Sequence, residues 1–425
     1  MKYKKLDLLV IGSGPAGLAA AIKAKEAGAK EVVVIERAEE TGGILPQCIH
    51  HGFGVTYFKK VLTGPEYMDR FIKKVEEIEI LTHSMALELS SDKTVTVASA
   101  KEGLIQFEPK AVILAMGCRE RPRGAITGGT GFLCGMRGSG VLTAGTAQRM
   151  VNIEGYIPGK RFLIVGSGDI GMIMARRFVL EGAEVVRVVE LLPFIGGLLR
   201  NEIQCLRDFN IPVQLSHTVL NIHGDKAGRG RCEGATIVKV DREMKPIPGT
   251  EERVDCDTVI LSVGLIPENE LSRMAGVELN PFTGGPIVDE CGQTNIPGIF
   301  AGGNVVHIHD LADDVSKTSE DAAEYAVQYI SGELTPSEKI PIKRGQNIRY
   351  VVPNYFSKDR PVTILLRVSW AFNDAVIKAG NILEKSYPHI RPSEQVKITL
   401  SPEVLKKLKD KELVVSCEGK EAVPR

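Results

Sequence analysis

The sequence predicts an α/β fold with two Rossmann-like domains, followed by a small β-rich module, and three observations support this prediction. A unit of strand, glycine-rich turn and helix occurs twice with the same internal spacing. Two later apolar strands, at 111–117 and 258–264, end alike in small residues. From residue 341 onward, short strands replace the alternation of strands and helices. Such alternation is typical of a parallel sheet covered by helices.

The first unit lies at the N-terminus. The apolar run LDLLVI predicts a buried strand, and the turn Gly12-Ser13-Gly14-Pro15-Ala16-Gly17 follows it. A helix closed by Gly28 leads to a second strand, EVVVIE, which ends at Glu36. In such turns the glycines permit a tight turn, close approach of a pyrophosphate and close packing of helix on strand. The helix N-terminus binds the pyrophosphate, and a carboxylate about 20 residues further on binds ribose hydroxyls.

The second unit repeats the first at an offset of 154 residues. Its turn is Gly166-Ser167-Gly168-Asp169-Ile170-Gly171. The key residues of the first unit (Gly12, Gly14, Gly17, Ala21, Gly28, Glu36, Gly42, Gly43) recur as Gly166, Gly168, Gly171, Ala175, Gly182, Glu190, Gly196 and Gly197. One such motif also occurs in α/β domains that bind no nucleotide. Two motifs in register, each with its carboxylate, predict two dinucleotide sites.

The residues around Glu190 indicate which nicotinamide cofactor the second site takes. Leu191, Leu192 and Pro193 follow it, so no Arg or Lys stands beside the carboxylate. A 2′-phosphate would meet an unpaired negative charge, and the sequence therefore predicts NADH rather than NADPH. The alternative is that a cation from elsewhere in the chain permits NADPH.

Composition argues against several other classes of function. Lys+Arg and Asp+Glu are 53 each among 425 residues, so the positive excess typical of nucleic-acid-binding proteins is missing. The eight cysteines form no CxxC pair, which is atypical of structural zinc or an iron–sulfur cluster and fits a reducing compartment. No apolar run approaches the roughly 18 residues of a transmembrane helix. We therefore expect a cytoplasmic protein without transmembrane segment, nucleic-acid partner or bound metal.

A third glycine-rich element completes a resemblance to a known superfamily. The segment Thr294–Asn304 reads as a strand ending in two glycines, and a helical stretch, SEDAAEYAVQYI, follows it. With the two glycine-rich units and the strands that end at Gly117 and Gly264, this segment resembles the two-dinucleotide-binding-domain flavoproteins of the pyridine nucleotide–disulfide reductase superfamily. The resemblance covers about residues 1–335.

The resemblance implies FAD in the first site and NAD(H) in the second. It implies an FAD domain made of 1–117 and 285–335, with an NAD domain, 118–284, inserted in it. The implied FAD-binding residues are Gly12, Ser13, Gly14, Pro15, Ala16, Gly17, Glu36, Arg37, Gly42, Gly43, Cys48, Met85, Ala115, Met116, Gly117, Gly303, Asn304 and His309. The implied NAD-binding residues are Gly166, Ser167, Gly168, Asp169, Ile170, Gly171, Glu190, Val263 and Gly264.

The chain departs from the superfamily in two places. The late Gly-Asp pair is here Gly303-Asn304, and an amide still hydrogen-bonds the ribityl chain or phosphate but removes a negative charge. We expect FAD binding to persist with a changed flavin potential. The redox cysteine pair is missing, because only Cys48 follows Gly43 and Cys134 has no CxxC partner. A dithiol mechanism is therefore not expected.

Four residues are candidates for chemistry beside the flavin. Cys48 and His50 follow the Gly-Gly pair, where the superfamily's chain passes the flavin ring, and could tune its potential or relay a proton. A packed thiol and a loop histidine are the alternative. In VVHIHD a strand would place His307 and His309 on one face, near the flavin pyrimidine edge. With Asp310 these histidines offer too few ligands for a metal site.

The C-terminal region, residues 341–425, predicts a small β-rich module. PVTILLRV, QVKITL and ELVVSCEG are its strands, and Ser401 followed by Pro402 begins a short helix. No dinucleotide motif or catalytic motif occurs there. Subunit contact and a stabilising lid are both compatible with this sequence.

Several segments of the sequence resemble one group within the superfamily more closely. Among them are GGILPQCIHHGFG, GSGDIGMIMARR and NVVHIHDLADDVS. They resemble flavoprotein subunits of multisubunit dehydrogenases of the amine, proline, cyanide-forming and glycerol-3-phosphate types. The resemblance implies an NADH dehydrogenase or oxidase that passes hydride between NADH and FAD. It also implies a second dehydrogenase flavoprotein as partner, with any iron–sulfur cluster on a separate subunit.

Two alternatives stay open. A stand-alone NADH oxidase or a ferredoxin/rubredoxin-type reductase would carry the same two nucleotide motifs. A non-enzymatic assembly protein with one vestigial nucleotide site would also keep the fold.

Overall fold

The structure is a computed structural model that describes residues 2–122, 134–135, 139–224 and 230–422. The Cys134 side chain and the last three residues of the predicted C-terminal module, 423–425, lie outside the described residues. The chain divides into two compact units. The first unit comprises Met1–Arg119 and Pro267–Ala422, and the second comprises Glu120–Ile266. The predicted domain boundaries at 117, 284 and 335 stay predictions.

The N-terminal part of the first unit is a seven-stranded sheet with helices against it. Its elements are β1 (Lys2–Ile11), α1 (Pro15–Glu26), β2 (Val32–Ile35), β3 (His51–Phe53), β4 (Leu62–Thr63), α2 (Gly64–Ile72), β5 (Glu79–Leu81), β6 (Ser84–Leu89), β7 (Val95–Ser99) and β8 (Gly103–Leu114). β1 lies between β2 and β8 and runs parallel to both. β2 is entirely buried, as expected of a strand in a parallel sheet covered on both faces.

The second unit contains the second copy of the strand, glycine-rich turn and helix. One strand crosses each of its two boundaries along the chain. Its elements are β9 (Cys118–Glu120), β10 (Cys134–Gly135), β11 (Val141–Thr143), α3 (Ala144–Asn152), β12 (Arg161–Val165), α4 (Asp169–Leu180), β13 (Glu184–Val189), α5 (Leu199–Asn201), β14 (Val213–Gln214), β15 (His217–His223), β16 (Gly234–Lys239), β17 (Glu252–Val254), β18 (Thr258–Leu261) and β19 (Leu265–Pro267). A parallel sheet of order β11-β18-β12-β13-β14 carries the glycine turn after β12.

The rest of the first unit begins with α6 (Glu270–Met274), β20 (Ile299–Ala301) and α7 (Ala312–Ser331). β20 pairs in parallel with β8, so the chain returns here to the N-terminal sheet. The predicted helix after the late glycines is present as α7, and it begins seven residues earlier than SEDAAEYAVQYI. α1 and α7 contribute to one apolar core on the same side of this sheet.

The C-terminal strands form two small sheets around an apolar core of their own. The elements are β21 (Ile340–Arg344), β22 (Ile348–Val352), β23 (Tyr355–Phe356), β24 (Val362–Val368), β25 (Phe372–Ala379), β26 (Leu383–Ile390), β27 (Val396–Leu400), α8 (Pro402–Leu405) and β28 (Leu413–Glu421). We call residues 340–421 the C-terminal module. The predicted α/β fold with two Rossmann-like sheets and this β-rich module is confirmed.

The expected strand at VVHIHD is wrong. β20 ends at Ala301, and a 3-10 turn follows at Gly303–Val305 because Gly303 takes a positive φ of 72°. Residues 306–311 then run without regular structure to the start of α7. Among the described residues, no helix has both the length and the apolar character needed to cross a membrane.

Candidate dinucleotide-binding sites

The first glycine turn has the geometry of a phosphate cradle. Gly12 has a φ of +105°, and a Cβ at this position would lie 2.4 Å from the carbonyl oxygen of Ala115. Any other residue would therefore clash with the strand end that follows β8. Helix α1 begins directly after Gly14, and no side chain caps its N-terminus by a hydrogen bond. Its first N–H groups are thus available to an anion such as a diphosphate.

Glu36, at the end of β2, is held beside this turn. Its side chain is buried, and one carboxylate oxygen accepts hydrogen bonds from Ser13 N at 2.9 Å and Ser13 Oγ at 2.6 Å. The other oxygen accepts from Ala38 N at 2.8 Å. These bonds fix the carboxylate in one orientation. The oxygen that accepts from Ala38 N keeps a lone pair for a ribose hydroxyl.

The second turn repeats this arrangement bond for bond. Gly166 has a φ of +95°, and a Cβ there would lie 2.0 Å from Ser262 O. Glu190 accepts from Ser167 N at 2.8 Å, from Ser167 Oγ at 2.6 Å and from Leu192 N at 2.9 Å. Ser262 was not singled out from the sequence. Its signal was its place in TVILSVG, where it corresponds to Ala115 in AVILAMG.

Asp169, the first residue of α4, distinguishes the second turn from the first, where Pro15 holds this position. Its Oδ1 accepts hydrogen bonds from Leu198 N at 2.9 Å and from Asn201 Nδ2 at 2.6 Å. The carboxylate therefore holds the segment after Gly197 against the start of α4. Of the other predicted NAD-binding residues, Gly264 accepts a hydrogen bond from Arg121 N at 3.0 Å, and Val263 precedes it.

Gly303, at the end of the segment 294–304, and the Gly-Gly pair 42–43 both lie against the first glycine turn. A Cβ on Gly303 would lie 2.8 Å from the Cβ of Ala16, so this 3-10 turn touches the first turn of α1. A Cβ on Gly43 would lie 3.0 Å from the Cα of Gly14, and Gly42 N donates to Ser13 O at 2.9 Å. Segments far apart in the chain thus meet around one helix N-terminus, as the predicted FAD site requires.

Asn304 is already engaged by the protein. Its Oδ1 accepts hydrogen bonds from His309 N at 3.0 Å and from the His309 ring at 3.2 Å, and its Nδ2 lies 3.8 Å from Cys118 Sγ. The amide is therefore held in a fixed orientation by its own neighbours. Cys118, directly after the predicted Ala115-Met116-Gly117 turn, was not identified from the sequence.

His307 and His309 lie together despite the missing strand, with ring centroids 4.0 Å apart. His309 Nδ1 faces two acceptors, Asn304 Oδ1 and His307 O at 3.1 Å, so this nitrogen carries the hydrogen. Burial lowers the pKa of His309 to about 3, and burial lowers the pKa of His307 well below its usual value. Both rings are therefore neutral near pH 7. Neither ring nitrogen of His307 has a hydrogen-bond partner among the described residues.

Cys48 and His50 lie in the segment that follows the Gly-Gly pair. Cys48 is buried, its Sγ lies 3.3 Å from Ile44 O, and burial raises the pKa of the thiol to about 12. The side chain is thus a thiol and not a thiolate at neutral pH. The His50 ring packs against Phe53 at a centroid distance of 5.1 Å. The catalytic roles suggested for Cys48, His50 and His309 stay predictions.

Two predicted FAD-binding residues lie at the rim of the site. Arg37 is exposed directly after Glu36. Met85, on β6, is 52% exposed, and the N–H of its neighbour Ser84 donates to Glu36 O at 2.8 Å. Both residues are thus near the buried carboxylate, and nothing in their own contacts assigns them a ligand.

Asp313 supports the site from the start of α7, and no pattern in the sequence pointed to it. Its buried carboxylate accepts hydrogen bonds from Gly54 N at 2.7 Å, from Thr56 N at 2.7 Å and from Tyr57 N at 3.1 Å. It also accepts from Thr56 Oγ1 at 2.8 Å. One side chain thus fixes the loop that follows Cys48 and His50.

One group of three potential metal ligands, Asp289, Glu290 and Cys291, lies together among the described residues. Asp289 pairs with Lys339 at 2.9 Å, and Glu290 pairs with Arg360 at 3.4 Å. The two carboxylates therefore already have cationic partners, and we assign no metal to them.

Known proteins are similar to this chain in sequence. The chain is 26% identical over 332 residues to one of the subunits of opine oxidase from Agrobacterium tumefaciens, a match that covers 70% of this chain and 61% of that protein. It is 28% identical over 309 residues to NADH dehydrogenase of Bacillus subtilis, covering 70% of this chain and 53% of that protein. The matches thus span less than two thirds of the length of these curated relatives.

Solved structures show the same fold. The thioredoxin reductase of T. acidophilum aligns with a TM-score of 0.61 at 21% identity, covering 78% of this chain and all of the other. The family model described as pyridine nucleotide-disulphide oxidoreductase matches residues 6–328. The glycine cradles, uncapped helix ends and buried carboxylates described above fit the FAD and NAD(P)H that this family uses. The chain therefore belongs to the pyridine nucleotide-disulphide oxidoreductase family.

Proposed function

We propose that this chain is an FAD-dependent NADH:acceptor oxidoreductase, an NADH dehydrogenase or oxidase, that passes hydride between NADH and FAD. The first glycine turn holds FAD, and the second holds NADH. The observation that supports this most directly is the identical hydrogen bonding of Glu36 and Glu190 beside two matched turns. FAD, when bound, supplies the ring that exchanges hydride and electrons.

The protein's own residues bind and orient in this proposal. The uncapped starts of α1 and α4 bind the two diphosphates, and Glu36 and Glu190 bind ribose hydroxyls. Asn304 keeps N–H donor capacity toward the flavin side chain while its oxygen is held by His309. Hydride transfer needs alignment of donor and acceptor more than an acid or base, which fits the neutral histidines.

NADH is the proposed nicotinamide cofactor. The Glu190 carboxylate accepts hydrogen bonds from three donors, and no Arg or Lys in the described part of the chain pairs with it. A 2′-phosphate on the adenosine ribose would therefore approach an uncompensated carboxylate.

We propose that electrons leave the flavin without a thiol relay. Among the described cysteines, the one that follows the Gly-Gly pair, Cys48, is a buried thiol with a raised pKa. The acceptor is then a small molecule or a partner protein that takes electrons directly.

We further propose that the chain is a cytoplasmic component of a heteromeric dehydrogenase, in a complex of the glycerol-3-phosphate type. The relative from opine oxidase is one subunit of its enzyme, and this supports a partner. A second dehydrogenase flavoprotein is the proposed partner, and any iron–sulfur cluster belongs to another subunit. A stand-alone NADH oxidase or a ferredoxin/rubredoxin-type reductase is the alternative.

Anaerobic titration of the purified protein with NADH tests the central proposal. The wild-type protein should be yellow, and NADH should bleach its flavin absorbance. Gly166→Ala, in which the new Cβ meets Ser262 O, should keep FAD and its reduction by dithionite but lose bleaching by NADH. A colourless wild-type protein, or bleaching by NADH that survives Gly166→Ala, would contradict the assignment of the two sites.

Affinity purification of the tagged chain from its native cells tests the proposed complex. Co-purification of a second flavoprotein dehydrogenase in a fixed ratio supports the heteromeric assembly. Recovery of the chain alone, with full NADH oxidase turnover, supports the stand-alone alternative.

A further inference from the structure

Arg367, on β24 of the C-terminal module, reaches out of that module to the turn that follows the late glycines. Its side chain is 11% exposed and forms an ion pair with Asp310, whose side chain is 14% exposed. Its Nη2 also lies 3.3 Å from Ile308 O. The guanidinium therefore holds the side chain of one residue and the backbone of another in the turn 307–310.

The guanidinium is itself fixed by the C-terminal module. Its Nε donates to Tyr350 Oη at 2.9 Å, and its Nη1 donates to Pro392 O at 3.2 Å. Gln395 N, from the same turn as Pro392, donates to the second oxygen of Asp310 at 2.6 Å. Arg367 thus has partners on every side, and its planar fork is suited to this role in a way that a lysine ammonium is not.

The turn held by Arg367 is the one that orients Asn304. His309, one residue before Asp310, donates its backbone N–H and its ring Nδ1–H to Asn304 Oδ1. A continuous path of hydrogen bonds and one peptide link therefore runs from the C-terminal module through Asp310 and His309 to Asn304. Asn304 follows Gly303, which touches the first turn of α1.

We propose that Arg367 is a positioning residue for the flavin site: through Asp310 and His309 it fixes the Asn304 amide. This inference rests on the proposed placement of FAD at the first turn. It gives the C-terminal module a role inside its own chain, separate from subunit contact. Loss of the guanidinium would remove the cation that pairs with Asp310 and the donor to Ile308 O, and the turn 307–310 would loosen.

The test compares Arg367→Met with Arg360→Met in the FAD-loaded protein. Arg360 is a matched control, because it also belongs to the C-terminal module and pairs with a carboxylate outside it, Glu290 at 3.4 Å. Its other hydrogen bonds are to Ser337 and Thr335 and not to the turn 307–310. The readouts are the rate of FAD release after dilution, the visible flavin spectrum and the melting temperature. We expect Arg367→Met to speed FAD release about tenfold and shift the flavin bands.

Two milder variants keep the proposal testable if Arg367→Met does not fold. Arg367→Lys retains the charge and should recover part of the slow release. Tyr350→Phe removes only the acceptor of Arg367 Nε and should speed release about two- to threefold. The proposal is overturned if Arg367→Met and Arg360→Met release FAD equally fast at equal loss of melting temperature. It is also overturned if Tyr350→Phe and Arg367→Lys both release FAD at the wild-type rate. A wild-type protein without FAD would instead contradict the proposed function.

Discussion

Glu36 and Glu190 are equivalent residues that we expect to serve different cofactors. Each accepts a serine N–H, the hydroxyl of the same serine and an N–H two residues further along. The carboxylate is therefore part of the folded turn before any ligand binds. A ribose hydroxyl adds to bonds that already exist, so little order has to be gained on binding.

We predict that Glu190→Gln weakens the preference for NADH. The amide cannot accept at both ends, and it removes the charge that a 2′-phosphate would meet. The KM for NADH should rise about tenfold, while the KM for NADPH should stay constant or fall. Steady-state kinetics with both nucleotides measure this change. Glu36→Gln is the matched control, and it should promote FAD loss without altering the ratio of the two KM values.

We predict that the buried histidines make stability depend on pH. Their pKa values are lowered by burial in the folded chain, so the unfolded chain binds more protons as the pH falls below the ordinary histidine value. The contribution of the neutral histidines to the free energy of unfolding is therefore fully present above about pH 6.5. It decreases as the pH falls toward the folded pKa, by about 1.4 kcal/mol per histidine at about pH 5.5.

Urea unfolding at about pH 7.5 and about pH 5.5 measures this loss of unfolding free energy. For the two histidines together we expect it to be about 3 kcal/mol. His307→Phe should remove roughly half of the difference between the two pH values. His389→Phe, at an exposed histidine, should leave the difference unchanged. An unchanged pH dependence in His307→Phe would contradict the neutral state assigned to this ring.

Among the elements, α7 joins three parts of the first unit. Its apolar residues pack in the same core as α1, while Ser316 Oγ near its start lies 2.9 Å from Tyr67 Oη of α2. Asp313 in its first turn accepts N–H groups of the loop 54–57. An acidic residue in the first turn of a helix is also favoured by the helix dipole. The helix therefore both supports the sheet and shapes the loop that follows the Gly-Gly pair.

We predict that Asp313→Asn destabilises this loop. The amide nitrogen would face an N–H donor where a carboxylate oxygen now accepts, and a buried donor would lose its partner. The cost should be about 2–3 kcal/mol, seen in urea unfolding and as faster proteolysis of the loop 54–57. Asp314→Asn provides the control, because the side chain of Asp314 has one ion-pair partner among the described residues, the half-exposed Lys397 at 3.4 Å. This variant should lose under about 1 kcal/mol.

At the scale of the whole molecule, the parts that the sequence predicts are those defined by local spacing. Both glycine turns, their glutamates and the paired strand ends depend on residues at short, fixed intervals, and the repeat at 154 residues supplied an internal control. Their placement in two Rossmann-like sheets follows from general rules for parallel strands.

The remaining features depend on contacts between distant segments. Asp313 and Thr56 are 257 positions apart, and Arg367 and Asp310 are 57 apart, so no local pattern connects them. The alternation in VVHIHD suited a strand, but a positive φ at Gly303 begins a 3-10 turn instead. β26 was missed because five of its eight residues are exposed, which leaves no apolar alternation to detect.

The whole chain lacks the cysteine pair by which the superfamily's dithiol enzymes work, and this leads to a prediction about the reduced protein. In a dithiol enzyme NADH opens a disulfide to thiolates, which alkylating agents then block. Here Cys48, the cysteine that follows the Gly-Gly pair, is a buried thiol whose pKa is about 12, so we expect no reactive thiolate at Cys48 after reduction.

Iodoacetamide at about pH 8 should therefore leave the NADH-reduced protein at least about 80% active, as it leaves the oxidised protein. Turnover with an artificial acceptor, measured before and after alkylation, gives the comparison. Cys48→Ser should behave like the wild type in both states. Inactivation that requires prior NADH reduction and disappears in Cys48→Ser would show that Cys48 does carry electrons, and the direct transfer from flavin to acceptor would then be wrong.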